Sequence, residues 1–188
     1  WEHPFVRNSM DMILSSEFGN TALIALNYNG VKAGTLLAEC HFLMEFSDDS
    51  HSHNERYFPN SSIRVVIDES GQDHAERLEL EASLQQSQRV DQDTAIKIVK
   101  ARQSELTRML EMADLVADTR VPGLINNART NGRDLLGHEV ERLRTLQKIN
   151  PGVRNDEIEF FRDQLDRFET ALEHARVRLD AVRVIVAI

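Results

Sequence analysis

The sequence predicts an α+β fold: an antiparallel sheet of about five strands, closed by the C-terminal strand, with long helices that include an antiparallel helical hairpin. Three observations predict it. Residues 35–46 alternate apolar and polar almost without a break. Apolar residues from Ile158 to Val182 repeat with 3-4 spacing. The end of the chain, Val182–Ile188, returns to period two with apolar side chains on both faces. Period two is the repeat of a strand and 3-4 spacing that of a helical seam, so the two halves require different elements.

The chain opens on Trp1-Glu2-His3-Pro4. Pro4 suits the first turn of a helix, where its missing N–H would have been unpaired. Phe5, Val6, Met10, Ile13 and Leu14 then share one face, so a helix is expected over 1–17. With no starting methionine, this opening reads as the interior of a larger protein. Over 20–85 the pattern predicts an antiparallel meander of four strands. In the first, Ala22, Ile24, Leu26 and Tyr28 share a side, and Asn29-Gly30 gives a hairpin signal. In the second, Leu36, Ala38, Cys40, Phe42, Met44 and Phe46 face a core, while Thr35, Glu39, His41 and Glu45 face water. Ile63, Val65 and Ile67 mark the third, Ser70-Gly71 a turn, and Leu78, Leu80, Ala82 and Leu84 the fourth.

Residues 92–180 read as long helices. Val99, Leu106, Met109, Leu110, Ala113 and Val116 form one stripe over 92–118, with Asp91 or Asp93 as N-cap. Ile125, Ala128, Leu135, Leu136, Val140, Leu143 and Leu146 form the apolar set of 119–149. Pro122 is expected to kink one continuous rod, because no cluster of loop residues surrounds it. Asn150-Pro151-Gly152 turns the chain. Ile158, Phe161, Leu165, Phe168, Leu172, Ala175, Leu179 and Val182 then form a heptad seam over 156–180, capped by Asn155. The two rods should pack as an antiparallel hairpin. Val182–Ile188, apolar on both faces, belongs inside the sheet, so the expectation is one domain over 1–188.

The composition narrows the function classes. A net charge of −9 argues against a domain-wide nucleic-acid surface, since phosphate binding needs clustered Lys and Arg. The longest apolar runs fall far below the ~18 residues of a membrane span, so no membrane partner is expected. The single cysteine, Cys40, excludes an intramolecular disulfide and fits a reducing cytoplasm.

Five stretches carry a resemblance: WEHPFVRNSMDMIL at the start, GTLLAE at 34–39, RYFPNSSIRVVID at 56–68, INPGVRNDEI at 149–158 and RLDAVRVIVAI at 178–188. In this order they resemble the C-terminal region of the RapA family, bacterial RNA polymerase-associated ATPases of the Swi/Snf helicase-like class. The resemblance implies a C-terminal, non-catalytic fragment of a transcription regulator that binds RNA polymerase and promotes its recycling. It also implies that ATP and Mg²⁺ are cofactors of the full-length protein, bound in two RecA-like lobes upstream. The expected partners are RNA polymerase core and those lobes. A free-standing helical-hairpin adaptor or self-association module is the alternative.

The residues themselves offer no catalytic constellation. Neither G-x-x-x-x-G-K-[ST] nor G-x-G-x-x-G occurs, so no phosphate cradle is expected and no catalytic residue carries over from the family. His51 and His53 have metal-ligand chemistry but sit in a polar loop with nothing to fix them, and read as solvated. His138 and His174, beside Glu139, Glu141 and Glu173, lack H-x-x-x-H or E-x-x-H spacing and read as exposed polar residues. Cys40 reads as a packed core thiol. The remaining candidates are Arg142, Arg144, Lys148 and Arg154 around the hairpin tip, a possible contact for an acidic surface or for phosphates. Glu139, Glu141 and Asp156 dilute that cluster, so weak nucleic-acid binding at most is expected.

Overall fold

A computed structural model describes residues 23–45, 62–79, 87–150 and 152–188. The expected helix over 1–17 and the pair His51 and His53 lie outside them. The elements in chain order are β1 (Leu23–Leu26), β2 (Leu36–Glu45), β3 (Ser62–Asp68), β4 (Ser87–Arg89), α1 (Gln92–Ala101), α2 (Gln103–Ile149), α3 (Asn155–Glu173) and β5 (Arg176–Ala187). Residues within 23–43, 62–119 and 178–188 form one compact unit, and those within 44–45 and 120–177 a second, with α2 and β5 passing through both.

The α+β class and the five strands are as the sequence predicts, in the order β3-β2-β5-β1-β4. Their arrangement differs: the sheet is mixed and open, not antiparallel and closed. β2 pairs antiparallel with β3, Leu37 opposite Asp68 through Leu43 opposite Ser62. β1 pairs antiparallel with β4 but parallel with β5, Leu23 beside Val184 and Leu26 beside Ala187. The cause is β5. Val184 and Ile185 are both fully buried, so the strand needs cover on two faces and a neighbour on each edge. It takes the central place and separates β1 from β2. Asn29-Gly30 still turns the chain, but the strands on either side do not pair as a hairpin.

Two further strand expectations change. Leu78 is buried outside any strand, and 80–86 lie outside the described residues. The fourth strand is Ser87-Gln88-Arg89, which pairs with β1 through its backbone and has no apolar alternation to announce it. β5 spans twelve residues, starting at Arg176 and not at Val182. α3 accordingly ends at Glu173, short of the expected 180. Val177 and Leu179 alternate with Arg176, Arg178 and Asp180, a period-two pattern that the 3-4 spacing of Ala175, Leu179 and Val182 conceals.

In the first unit, Ile24, Leu26, Leu37, Val66, Leu78 and Ile185 form a core cluster with Tyr28, Val31 and Ala75 against it. The helical stripe Val99, Leu106, Met109, Leu110, Ala113 and Ala117 is buried as well. Gly71 sits at φ 88 in the turn after β3, a backbone region that favours glycine, with Met112 of α2 packed over it. Asp91 caps α1 by accepting from Thr94 N at 2.9 Å. The helix breaks at Arg102, so 92–118 is not one rod, but α2 runs unbroken through Pro122 as expected.

The second unit is the antiparallel hairpin. Ala128 and Leu136 meet Phe168 and Leu172, with Ile125, Phe161 and Leu165 around them. Nearer the tip, Val140 and Leu143 meet Ile158, with Val153 and Phe161. Gly132 lies under the Phe168 ring: a Cβ there would stand 2.2 Å from a ring carbon. Arg129 and Arg133 both reach Glu169, at 3.0 and 2.5 Å, and tie the two helices together. Arg154, not Asn155, is the N-cap of α3. Asn155 is its first residue, and its side chain accepts from Gln147 Nε2 at 2.7 Å.

Candidate partner-contact site on the helical hairpin

The four cations expected at the tip do not form one patch. At about 100° per residue, Arg144 and Lys148 lie about 200° and 240° around α2 from Arg142. Arg142 and Arg154 line one groove of about 410 Å³, with Glu139, Leu143, Asp156, Glu157, Phe160 and Phe161. Arg144 and Lys148 are not on that lining.

The carboxylates seen as diluting the cluster are direct partners. Arg142 donates from Nε to Glu139 at 2.8 Å and from a second nitrogen at 2.5 Å. Arg144 stands 3.8 Å from Glu141. Arg154 pairs with Asp156, its Nε at 3.3 Å. The hydrogen bonds from Arg142 and Arg154 hold the carboxyls of Glu139 and Asp156 below their ordinary range and raise both guanidinium groups above theirs. These pairs are solvent-exposed and contribute little stability. Residues 120–177 carry ten basic and ten acidic side chains, so this segment is neutral within a chain of −9. A neutral, internally paired surface suits a protein partner better than phosphates.

Sequence reasoning missed the apolar part of the site. Phe160 is 57% exposed, Leu135 57% and Ile149 79%. Phe160 packs edge-to-face on Phe161, with ring centroids 5.4 Å apart, which fixes its ring at the groove. The available signal was that Phe160 falls one residue off the seam position Phe161; Leu135, expected in the apolar set of 119–149, is exposed instead because Leu136 takes the packed position.

Elsewhere the polar chemistry is structural. Glu39, expected in water, is fully buried. Its carboxylate accepts from Arg64 Nε on β3 at 2.6 Å and from Arg183 Nε on β5 at 2.5 Å, with His41 at 3.5 Å. Burial pushes its pKa up, but the His41 contact and the Arg183 and Arg64 charges outweigh that and hold it at about 2. Arg64 also donates to the carbonyls of Ala75 and Leu78 at 2.9 and 2.7 Å. His74 is buried, contacting Asp68 at 2.9 Å and Tyr28 Oη at 3.1 Å. Asp68 in turn accepts from Ser70 N and Gln72 N at 2.8 and 2.9 Å. This chain of bonds closes the turn after β3; a histidine 1% exposed offers nothing to a substrate. Cys40 is buried, and burial first, then the negative charges of Glu39 and Asp114, push its thiol far above its ordinary value. It is a packed thiol, not a nucleophile. His138 and His174 are exposed, as expected. Among the described residues, no His/Cys/Asp/Glu group is arranged to hold a metal, and no helix is long and apolar enough to cross a membrane.

Residues 1–187 match a family model described as the C-terminal region of the RNA polymerase recycling family. The chain is 33% identical over 186 residues to the RNA polymerase-associated protein RapA of Proteus mirabilis. It is 34% identical over the same length to the RapA proteins of Pectobacterium atrosepticum and of Yersinia pestis strain Pestoides F. Each match covers 99% of this chain and 19% of the relative, so the chain spans about a fifth of the length of these relatives.

Proposed function

The chain belongs to the RNA polymerase recycling family as its C-terminal region, and from that premise we propose that it is the non-catalytic end of an ATP-dependent transcription regulator. In this reading the whole protein binds RNA polymerase in the cytoplasm and promotes its recycling. ATP and Mg²⁺ act in helicase-like lobes elsewhere in that protein, which also make its DNA contacts. The present region packs on those lobes, contacts polymerase, or does both, and binds nucleic acid weakly at most.

The observation that carries the contact role is the hairpin tip. Arg142 and Arg154, each beside its own carboxylate, line one groove together with Leu143, Phe160 and Phe161, while Arg144 and Lys148 face elsewhere. Paired charges around aromatic and aliphatic side chains give the composition of a protein interface. The test is the triple change Arg142→Glu, Arg144→Glu and Lys148→Glu in the full-length protein. Arg142 and Lys148 are exposed and Arg144 half-exposed, on different faces of α2, so folding should survive. Polymerase affinity, or ATPase activity if the contact is with the lobes, is expected to fall at least fivefold, with duplex DNA binding by this region unchanged. Both properties at wild-type level would remove the tip as an interface. A collapse of sub-micromolar DNA binding would assign it to nucleic acid instead.

A further inference from the structure

We infer that the groove along the hairpin docks an amphipathic helix from the rest of the same polypeptide, turning two helices into a three-helix bundle. The inference rests on the reading of this chain as part of a longer regulator and gives its packing a surface and an occupant. α2 carries a second stripe beside the one buried against α3. Leu135, Glu139, Arg142, Leu146 and Ile149 are spaced 4-3-4-3. The ends of this stripe are apolar and its middle is the Glu139–Arg142 ion pair, so it offers a second neighbour a mixed surface. α3 fills one seam. The other runs about 21 Å from Leu135 to Ile149 at 1.5 Å per residue; its middle residues Glu139 and Arg142 line the groove together with Phe160, whose ring is held on Phe161, and Leu135 and Ile149 lie beyond it at either end.

The charges state what fits. The lining sets Glu139, Asp156 and Glu157 against Arg142 and Arg154, one negative charge in excess, so it complements a helix with apolar residues at i, i+3 or i+4 and i+7, flanked by mixed charges with one more basic than acidic. The area selects the source. At their exposures, Leu135, Ile149 and Phe160 present on the order of 350 Å² of apolar side chain, against about 800 Å² per partner in a standard interface. That is too little to hold a free second copy, but a tethered segment meets the groove at an effective concentration of about a millimolar. The chain's relatives are about five times its length, which supplies the tether.

The test places a photo-crosslinker in the groove of the full-length protein, as Phe160→benzoylphenylalanine, and irradiates without polymerase. Phe160 is exposed, so the fold should tolerate the change; Ile149→benzoylphenylalanine is the second variant. Both are expected to give a crosslink of monomer mass to one amphipathic peptide outside these 188 residues, and Leu135→Ser should cut the yield at least fivefold. A crosslink of doubled mass would make a second copy the occupant, and one formed only on adding polymerase would make it polymerase. Either result, or no crosslink from either position, overturns the inference. Polymerase affinity is measured separately, so failed docking with intact affinity sinks this inference and leaves the proposed function standing.

Discussion

Phe168 and Gly132 show how one residue pair sets the hairpin. The ring is fully buried between Ala128, Leu136 and Leu172, and the missing Cβ at Gly132 is what admits it. Phe168→Ala is expected to destabilise the chain by about 3–5 kcal/mol, the cost of removing a buried aromatic. Gly132→Ala is expected to cost about 1–3 kcal/mol through overpacking, although alanine normally favours a helix. Urea melts of both variants check this; a stabilised Gly132→Ala would mean the ring has room to move. The second residue-scale test is Glu39. Its pKa falls from 4.5 to about 2 on folding, so the folded state holds fewer protons between those limits. Its contribution is therefore present above pH ~4.5 and lost as pH falls toward 2, amounting to about 3 kcal/mol at 1.36 kcal/mol per pH unit. Asp68, also held at about 2, titrates in the same window, so the comparison must be with a variant. Glu39→Gln is expected to cost about 3–5 kcal/mol at pH 7, because the half-buried guanidinium groups of Arg64 and Arg183 lose their buried counter-charge. The gap from wild type should narrow by pH 3; an equal cost at both pH values would contradict the assignment. Phe168 was legible in the sequence because its seam is local. Glu39 was not, since its partners arrive from positions 64 and 183, and alternation alone sends an acidic residue to water.

Among the elements, β5 organises the rest. It lies between β2 and β1; Ile188 N donates to the carbonyl of Leu26, the last residue of β1, and Ala187 N to that of Thr35, just before β2. Ending the chain after Ala181 is expected to abolish cooperative unfolding or cause aggregation, because two inner strand edges would be left without a partner. Size-exclusion chromatography with a thermal melt decides; a soluble monomer with an unchanged midpoint would make β5 peripheral. The central placement was legible from Val184 and Ile185, since apolar side chains on both faces admit few other positions. The pairing was not. Asn29-Gly30 specifies a turn but not the next neighbour, and β5 reaches the gap between β1 and β2 from the far end of the sequence. The groove was half legible: Arg142 and Arg154 stood out by charge, whereas Phe160 was hidden beside Phe161 and its exposure depends on how α3 rotates against α2.

At the scale of the whole molecule, the proposed function makes this region a contact module within a larger protein. The chain alone is expected neither to bind nor to hydrolyse ATP, because its sequence has no Walker-type phosphate cradle. Turnover that survives repurification and is absent from a denatured control would contradict this. The role proposed for the region is contact with polymerase or with the motor of its own protein. The most direct measurement compares the full-length regulator with one lacking the 188 residues, by polymerase affinity, polymerase-stimulated ATPase and multi-round transcription. The deletion is expected to keep basal ATPase within about twofold while polymerase affinity, or the coupling of ATPase to polymerase, falls at least tenfold. A deletion that binds polymerase, couples and recycles like the intact protein would contradict it.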